Sequence, residues 1–173
     1  PKQFSAERPL RVLYLGTLTL RKGIAPLLEA ASLVEDRPVE WWIVGDGPVT
    51  IPEPYRSHEQ IRWVGQVPRS EVDAYYRDAD VFILPTISDG FALTQLEAQA
   101  QGLPVIASQR CGDVVRHGQN ELRLDAVTPE EIADAVVWCL NHPDRLRDMA
   151  VQATSRVADF REEEVLPQLL GAF

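Results

Sequence analysis

The sequence predicts an α/β fold, an open doubly wound parallel sheet of about six strands with helices on both faces. Short runs rich in β-branched and aromatic residues alternate along the chain with segments of helical spacing. These runs are apolar throughout, which is typical of strands that are covered by helices on both sides. The length of 173 residues, 45% hydrophobic and 25% charged, fits one domain over residues 1–173.

The first half of the chain supplies four strands and three helices. The predicted strands lie within residues 11–18, 39–48, 61–67 and 81–86, and the loops begin after Leu15, Val44, Val64 and Pro85. A helix is predicted over 23–35 and a second over 69–80, with Ser70 as its N-cap. The third begins after Gly90, and its apolar stripe is expected at Leu93, Leu96 and Ala100.

The second half supplies strands at 103–108 and 121–125 and two further helices between 128 and 154. Thr128 is the expected cap of the first of these helices, with Pro129 at its first position and Glu131 completing a capping box. Asn141 or Asp144 is expected to cap the next one. Residues 1–9 are predicted as an incoming linker, and 161–173 as a C-terminal segment that is expected to contact a missing N-terminal domain.

Composition excludes several functions. A net charge of −9 argues against nucleic acid as a partner, because that binding depends on clustered Lys and Arg. Cys111 and Cys139 lie 28 residues apart, a spacing that indicates neither a zinc site nor a disulfide framework, and reduced thiols are expected. No metal site is predicted, and His58, His117 and His142 are expected to have no functional role. No apolar run approaches the length of a membrane span, and the N-terminus lacks the signal-peptide pattern.

Parallel sheets bind ligands at the carboxyl ends of their strands, so the loops after the strands are the informative segments. After the first strand, Gly16 allows a ligand to approach the backbone, and Lys22 with Gly23 begins the next helix. A cation beside free helix amides suits a phosphate, although a solvated basic pair on a turn is an open alternative.

The loop "GDGP" after the second strand contains two glycines but no third, and no helix follows. Pro48, Pro52 and Pro54 are incompatible with the phosphate-binding helix of a dinucleotide site. A nicotinamide or flavin cofactor is therefore disfavoured, and the glycine pair is interpreted as structural.

The stretch "SDGFALTQLEAQAQGLPVIAS" (88–108) carries the strongest pattern. Free amides at the start of its helix could hold a diphosphate, and Asp89 and Glu97 could accept hydrogen bonds from sugar or ribose hydroxyls. For Asp89 the alternative is a helix cap. For Glu97 it is a salt bridge to a surface base, against which its place beside the expected apolar stripe argues.

Four segments in order resemble the C-terminal, donor-binding half of GT-B glycosyltransferases, specifically the retaining enzymes of family 4. They are "VLYLGTLTLRKGIAPLLEA", "WWIVGDGP", "IRWVGQVPRSEVDAYYRDADVFILPT" and the stretch at 88–108, so that the resemblance spans about residues 10–160. It implies a Rossmann-like domain. Asp89 and Glu97 match the family's acid–x7–acid motif, with Asp where Glu is usual.

The resemblance also implies a role for each site residue. Glu97 would bind the ribose hydroxyls, Asp89 the transferred sugar, and Lys22 the phosphate. The diphosphate would lie on the amides of Gly90, Phe91, Ala92, Leu93 and Thr94, close to Gly16. The base would lie near Gly65, Gln66 and Val67. Many members have Arg where this chain has Thr17, and Arg21 is the candidate to supply that charge.

The implied function is transfer of a sugar from a nucleoside-diphosphate sugar, with retention of configuration and without a cofactor or metal. The acceptor would bind mainly to an N-terminal domain that has no counterpart here, so this domain alone is expected to be inactive. A cytoplasmic location is expected, and peripheral membrane association of the full-length enzyme is an open alternative. The alternatives are a GT-B sugar-nucleotide epimerase and a non-catalytic binding module.

Overall fold

The computed structural model describes residues 4–88, 93–111 and 121–163. Within those ranges six strands form one sheet: β1 Leu10–Leu15, β2 Val39–Val44, β3 Ile61–Gly65, β4 Val81–Leu84, β5 Val105–Ser108 and β6 Glu121–Leu124. Their order is β3-β2-β1-β4-β5-β6, and every neighbouring pair is parallel. The predicted doubly wound α/β fold is confirmed.

The same ranges contain six α-helices, of which the last two follow β6: α1 Ile24–Leu33, α2 Glu53–Arg56, α3 Arg69–Asp78, α4 Leu93–Ala100, α5 Pro129–Asn141 and α6 Pro143–Glu163. A short 3₁₀ turn, Leu20–Lys22, precedes α1. The single-turn α2 lies in the proline-rich stretch where the sequence indicated no helix.

The first two strands end where the sequence predicts, at Leu15 and Val44. The following residues belong to two loops that pack against each other: Gly16 N–H donates to the Val44 carbonyl, and Leu18 N–H donates to the Asp46 carbonyl.

The sheet buries both faces, as its continuous apolar strands require. On one face Val12, Trp41 and Ile43 pack with side chains of α1 and α5. On the other, Leu13, Trp42 and Phe82 pack with Val72 and Tyr76 of α3 and Ala98 of α4. Residues that follow one another in a strand thus belong to opposite layers, the period-2 geometry of strands.

The start of α3 and one bond of the α5 capping box differ from their predictions. Helix α3 begins two residues earlier than a Ser70 cap requires, with Pro68 at the cap position and no side-chain capping bond. Proline fixes an extended entry into the helix, and Ser70 therefore lies inside the first turn. Thr128 does cap α5, its hydroxyl accepting from Glu131 N–H at 3.2 Å. The Glu131 carboxylate, however, accepts from Ala126 N–H and not from the cap residue.

Neither cysteine is in a disulfide bond, and both Cys111 and Cys139 are buried. Burial raises the pKa of the Cys139 thiol, which keeps that side chain protonated and unreactive. No helix in the ranges given above is both long and apolar enough to cross a bilayer.

Candidate functional site

Most of the predicted site residues that the structure describes lie at the carboxyl edge of the sheet. The strand order reverses between β1 and β4, so the loops that leave these two strands diverge to opposite sides of the sheet. A crevice at that reversal is where ligands bind in doubly wound folds. The loop after β1 carries Gly16 and Thr17, and the loop after β4 leads through Ser88 to Asp89.

The loops after β1 and β2 pack closely against each other through their backbones. A Cβ atom on Gly45 would lie 2.0 Å from the Gly16 carbonyl oxygen, and one on Gly47 would lie 2.1 Å from that of Leu18. No side chain fits at either position. The "GDGP" glycines therefore have the structural role that the sequence indicated, since they allow the first two loops to pack.

Those loops border a cavity of about 320 Å³. Its lining includes four predicted ligand-binding residues, Gly16, Thr17, Gln66 and Val67. Gly65 immediately precedes this lining at the end of β3 and has a positive φ of 79°. Residues far apart in sequence thus line one space. Most of them are glycine or apolar, and the polar ones are Thr17, Asp46 and Gln66.

The two predicted phosphate-binding cations lie in the 3₁₀ turn before α1. The Thr19 hydroxyl caps this turn by accepting from Lys22 N–H at 3.2 Å. The Arg21 carbonyl accepts from Ile87 N–H and from the Thr86 hydroxyl, while the Arg21 guanidinium donates to the Ser88 carbonyl at 3.3 Å. The turn is thereby tied to the segment that leads to Asp89, and Arg21 retains an exposed side chain.

Helix α4 has a different orientation from the one its sequence predicts. Its buried residues are Gln95, Ala98 and Gln99, whereas Leu93 is 49% exposed and Ala100 is exposed. The predicted stripe of Leu93, Leu96 and Ala100 is therefore wrong. The physical reason is that Gln95 has a hydrogen-bond partner inside the protein, since its Nε2 donates to the Cys111 carbonyl at 3.1 Å.

Glu97 is ion-paired, an arrangement that its expected place beside an apolar stripe had argued against. Its Oε1 accepts from Arg69 Nη2 at 2.5 Å, and its Oε2 accepts from the Tyr76 hydroxyl at 3.1 Å. The Glu97 side chain is 26% exposed and that of Arg69 is 74% exposed. The hydrogen bond and charge of Glu97 raise the pKa of Arg69. The carboxylate is thus held from one side and remains partly open to solvent.

Tyr76 is the buried member of this group, with 1% of its surface exposed. Burial, followed by the negative charge of Glu97, raises the pKa of its hydroxyl well above the usual value. The hydroxyl therefore stays protonated and acts as a donor at physiological pH. The Thr94 carbonyl lies 3.4 Å from the same oxygen, so that Tyr76 links α3 to the first turn of α4.

Four predicted residues, Asp89, Gly90, Phe91 and Ala92, lie outside the described residues. Of the remaining helix residues, Leu93 and Thr94 begin α4. The described ranges contain no group of three or more His, Cys, Asp or Glu side chains that could hold a metal ion. The ligand-binding role of each site residue stays a prediction.

Sequence reasoning did not identify Arg69 or Tyr76 as members of the site. A signal for Arg69 was present: as the first residue of α3 it places a cation at the positive end of the helix dipole, where acids are favoured. An arginine at that position indicates a nearby carboxylate. No comparable signal marked Tyr76, which resembles any buried aromatic residue of a helix.

A family model described as Glycosyl transferases group 1 matches residues 9–142. The D-inositol 3-phosphate glycosyltransferase of Corynebacterium glutamicum is 31% identical over 177 residues, covering 94% of this chain and 42% of that protein. The putative colanic acid biosynthesis glycosyltransferase WcaL of Salmonella typhimurium is 30% identical and covers 93% of this chain and 44% of its own length. The chain therefore spans less than half the length of these relatives.

Solved structures share the fold at lower identity. Anabaena Alr3699/HepE in complex with UDP-glucose superposes with a TM-score of 0.79 at 17% identity, covering 97% of this chain and 50% of that one. The C-terminal domain of the group 1 glycosyl transferase LpcC from Francisella tularensis gives a TM-score of 0.75 at 17% identity. The match covers 91% of this chain and 88% of that one.

Proposed function

The chain belongs to the glycosyl transferases group 1, and we therefore propose that it is the donor-binding domain of a retaining glycosyltransferase of family 4. The donor is a nucleoside-diphosphate sugar. The observation that carries this proposal is the cavity at the carboxyl edge of the sheet, lined by Gly16, Thr17, Gln66 and Val67.

The walls of that cavity suit a nucleobase. Apolar side chains such as Leu15, Val67 and Val72 can cover its faces, and the glycine-rich loops leave backbone groups accessible to its polar edge. The Glu97 carboxylate, on α4, is proposed to accept from the ribose hydroxyls, because carboxylates are strong acceptors for hydroxyl donors.

The diphosphate is proposed to lie between the start of α4 and the 3₁₀ turn of Arg21 and Lys22. Helix amides and cations both stabilise negative charge, which increases on the leaving diphosphate as the sugar–phosphate bond breaks. The sugar would then pass to an acceptor bound mainly by a further domain, with the same anomeric configuration as in the donor. Asp89 is proposed to contact the transferred sugar. No metal or cofactor is invoked, and the enzyme is proposed to work in the cytoplasm.

Nucleotide binding measured by isothermal titration calorimetry tests this proposal. The chain is titrated with UDP, GDP and ADP, and at least one is expected to bind. Glu97→Gln is expected to weaken that binding by about tenfold or more, because it replaces charge-assisted hydrogen bonds with weaker ones worth roughly 1.5 kcal/mol less. Glu29→Gln, the same change at an exposed position of α1, is the control.

Two results would contradict the proposal. One is the absence of binding of all three nucleotides by the wild-type chain. The other is equal affinity of wild type and Glu97→Gln for the nucleotide that binds. A third result would favour the non-catalytic binding module instead. In that case a nucleotide binds and requires Glu97, but the full-length protein transfers no sugar. Thr17 at the cavity wall supports this alternative.

A further inference from the structure

Two residues of α3 approach Glu97 from the same side. Arg69 and Tyr76 are seven residues apart, which is two helical turns, so they lie on one face of α3. The guanidinium contacts Oε1 and the phenol contacts Oε2. Each carboxylate oxygen therefore has one hydrogen bond from α3.

The number of acceptor positions on Glu97 indicates how many hydroxyls of a ligand it can bind. An ionised carboxylate offers about four lone-pair positions, two on each oxygen. The two bonds from α3 occupy one position on each oxygen, and among the described residues no other group occupies the further position on each. Two open positions on adjacent oxygens match a pair of hydroxyls on neighbouring carbons, such as the 2′- and 3′-hydroxyls of ribose.

The ion pair contributes little to stability by itself. Arg69 is 74% exposed, and an exposed pair is screened by water and salt. Its effect on Glu97 is different, because a glutamate side chain has several rotatable bonds that a ligand would otherwise have to immobilise. Holding the carboxylate in place before the ligand arrives lowers the entropic cost of binding.

We propose that Arg69 is a positioning residue for ribose recognition: together with Tyr76 it fixes the Glu97 carboxylate so that its two open acceptor positions meet a vicinal diol. This inference rests on the proposed function, in which Glu97 binds ribose. It goes further in assigning a positioning role to Arg69 and Tyr76 of α3.

Tyr76 supports this role from within the protein. It is buried and contacts Phe82 edge-on at 5.8 Å between ring centroids, so its hydroxyl has a fixed position. Burial also raises the pKa of that hydroxyl, which therefore remains a donor to Glu97. Arg69 is the more suitable position for mutation, because an exposed side chain can be changed without disturbing the core.

The experiment compares a ribonucleotide with its 2′-deoxy form. Calorimetry is performed with the tightest binder among UDP, GDP and ADP and with its 2′-deoxy analogue, for wild type, Arg69→Ala and Arg69→Lys. Arg77→Ala is the matched control, since it removes the same charge from an exposed position of the same helix.

Arg69→Ala is expected to weaken ribonucleotide binding by about three- to tenfold, the cost of ordering one more side chain. Binding of the 2′-deoxy form should weaken less than about twofold, so that the preference for the ribonucleotide narrows. Arg69→Lys should recover part of the loss, because it keeps the charge without the planar fork. Arg77→Ala should bind like wild type.

Several results would overturn the inference. Equal weakening for both nucleotides would show that Arg69 acts on the diphosphate, and tighter binding by Arg69→Ala would show that it competes with the ligand. A lower melting temperature with unchanged affinity would show a structural role only. If wild type binds no nucleotide, or binds independently of Glu97, the proposed function fails together with this inference. Dependence on Glu97 without dependence on Arg69 overturns this inference alone.

Discussion

Gly23 and Gly65 have nearly the same left-handed backbone, with φ values of 75° and 79°, in different surroundings. Gly23 precedes α1, and a Cβ atom there would lie 1.8 Å from the Pro85 carbonyl oxygen. At Gly65 a Cβ would meet no atom within 4 Å. The first glycine is required by both backbone conformation and contact with the loop after β4, the second by backbone conformation only.

Replacing each by alanine separates these two effects. Gly65→Ala is expected to lower the free energy of unfolding by about 1–2 kcal/mol, the cost of a left-handed conformation for an L-residue. Gly23→Ala should cost at least about 3 kcal/mol, because the loop after β4 must also move. Urea denaturation followed by circular dichroism measures both changes. Equal losses would contradict the close contact between Gly23 and Pro85.

Glu97 shows how the environment of a side chain depends on distant residues. Its ion pair with Arg69 joins positions 28 apart in sequence. The helical pattern around Glu97 showed that the carboxylate was unusual but gave no information about this partner. Only the packing of α3 beside α4 identified it.

Helix α5 forms where its sequence predicts, and its start is determined locally. Thr128 accepts from Glu131 N–H, Pro129 occupies the first turn, and Glu130 and Glu131 place negative charge at the positive end of the helix. These interactions involve residues within a few positions of one another, which makes them readable from sequence.

Thr128→Ala is expected to lower the free energy of unfolding by about 1 kcal/mol through loss of the capping bond. Ser70→Ala is the matched control, since Ser70 lies within the first turn of α3 and that helix has no side-chain cap bond. Its loss should stay within about 0.5 kcal/mol. Thermal or urea unfolding compares the two. A larger loss for Ser70→Ala would indicate that it is the functional cap of α3 after all.

Considered as a whole, the molecule has different features at the two edges of its sheet. The carboxyl edge has the glycine-rich loops and the candidate site. At the amino edge, Arg8 donates to both carboxylate oxygens of Asp80, at 2.8 and 2.9 Å, and Arg11 N–H donates to Asp80 at 3.0 Å. The Asp80 side chain is only 3% exposed. Residues 4–9, predicted as a linker, are therefore attached to the sheet through Arg8, and their assignment as a linker stays a prediction.

Arg8→Ala is expected to lower the free energy of unfolding by about 2–3 kcal/mol, because it deprives a buried carboxylate of its two-point partner. Arg37→Ala is the control, since Arg37 pairs with Asp36 where both side chains are more than half exposed. Urea denaturation should give a loss below about 0.5 kcal/mol for the control. Similar small losses for both variants would show that the Arg8–Asp80 pair contributes little.

Most of the fold was predictable because it depends on short-range patterns. The apolar runs identified six strands, and their continuity indicated a sheet covered on both faces. Since parallel strands point their carboxyl ends to one edge, Gly16, Thr17, Gln66 and Val67 were expected near one another, and the structure places them around one cavity. The ends of the first two strands, at Leu15 and Val44, were predictable as well, because a glycine follows each of them directly.

The sequence by itself determined the fold class, the order of the elements and the edge of the sheet where the candidate site lies. The tertiary structure alone decided which face of α4 is buried and which residue pairs with Glu97. A periodicity argument assumes that apolar residues face inward. In α4, Gln95 and Gln99 are buried instead, with the Gln95 amide donating to the Cys111 carbonyl 16 residues away. A polar side chain can be buried once a partner is in place, and only the folded chain brings that partner near.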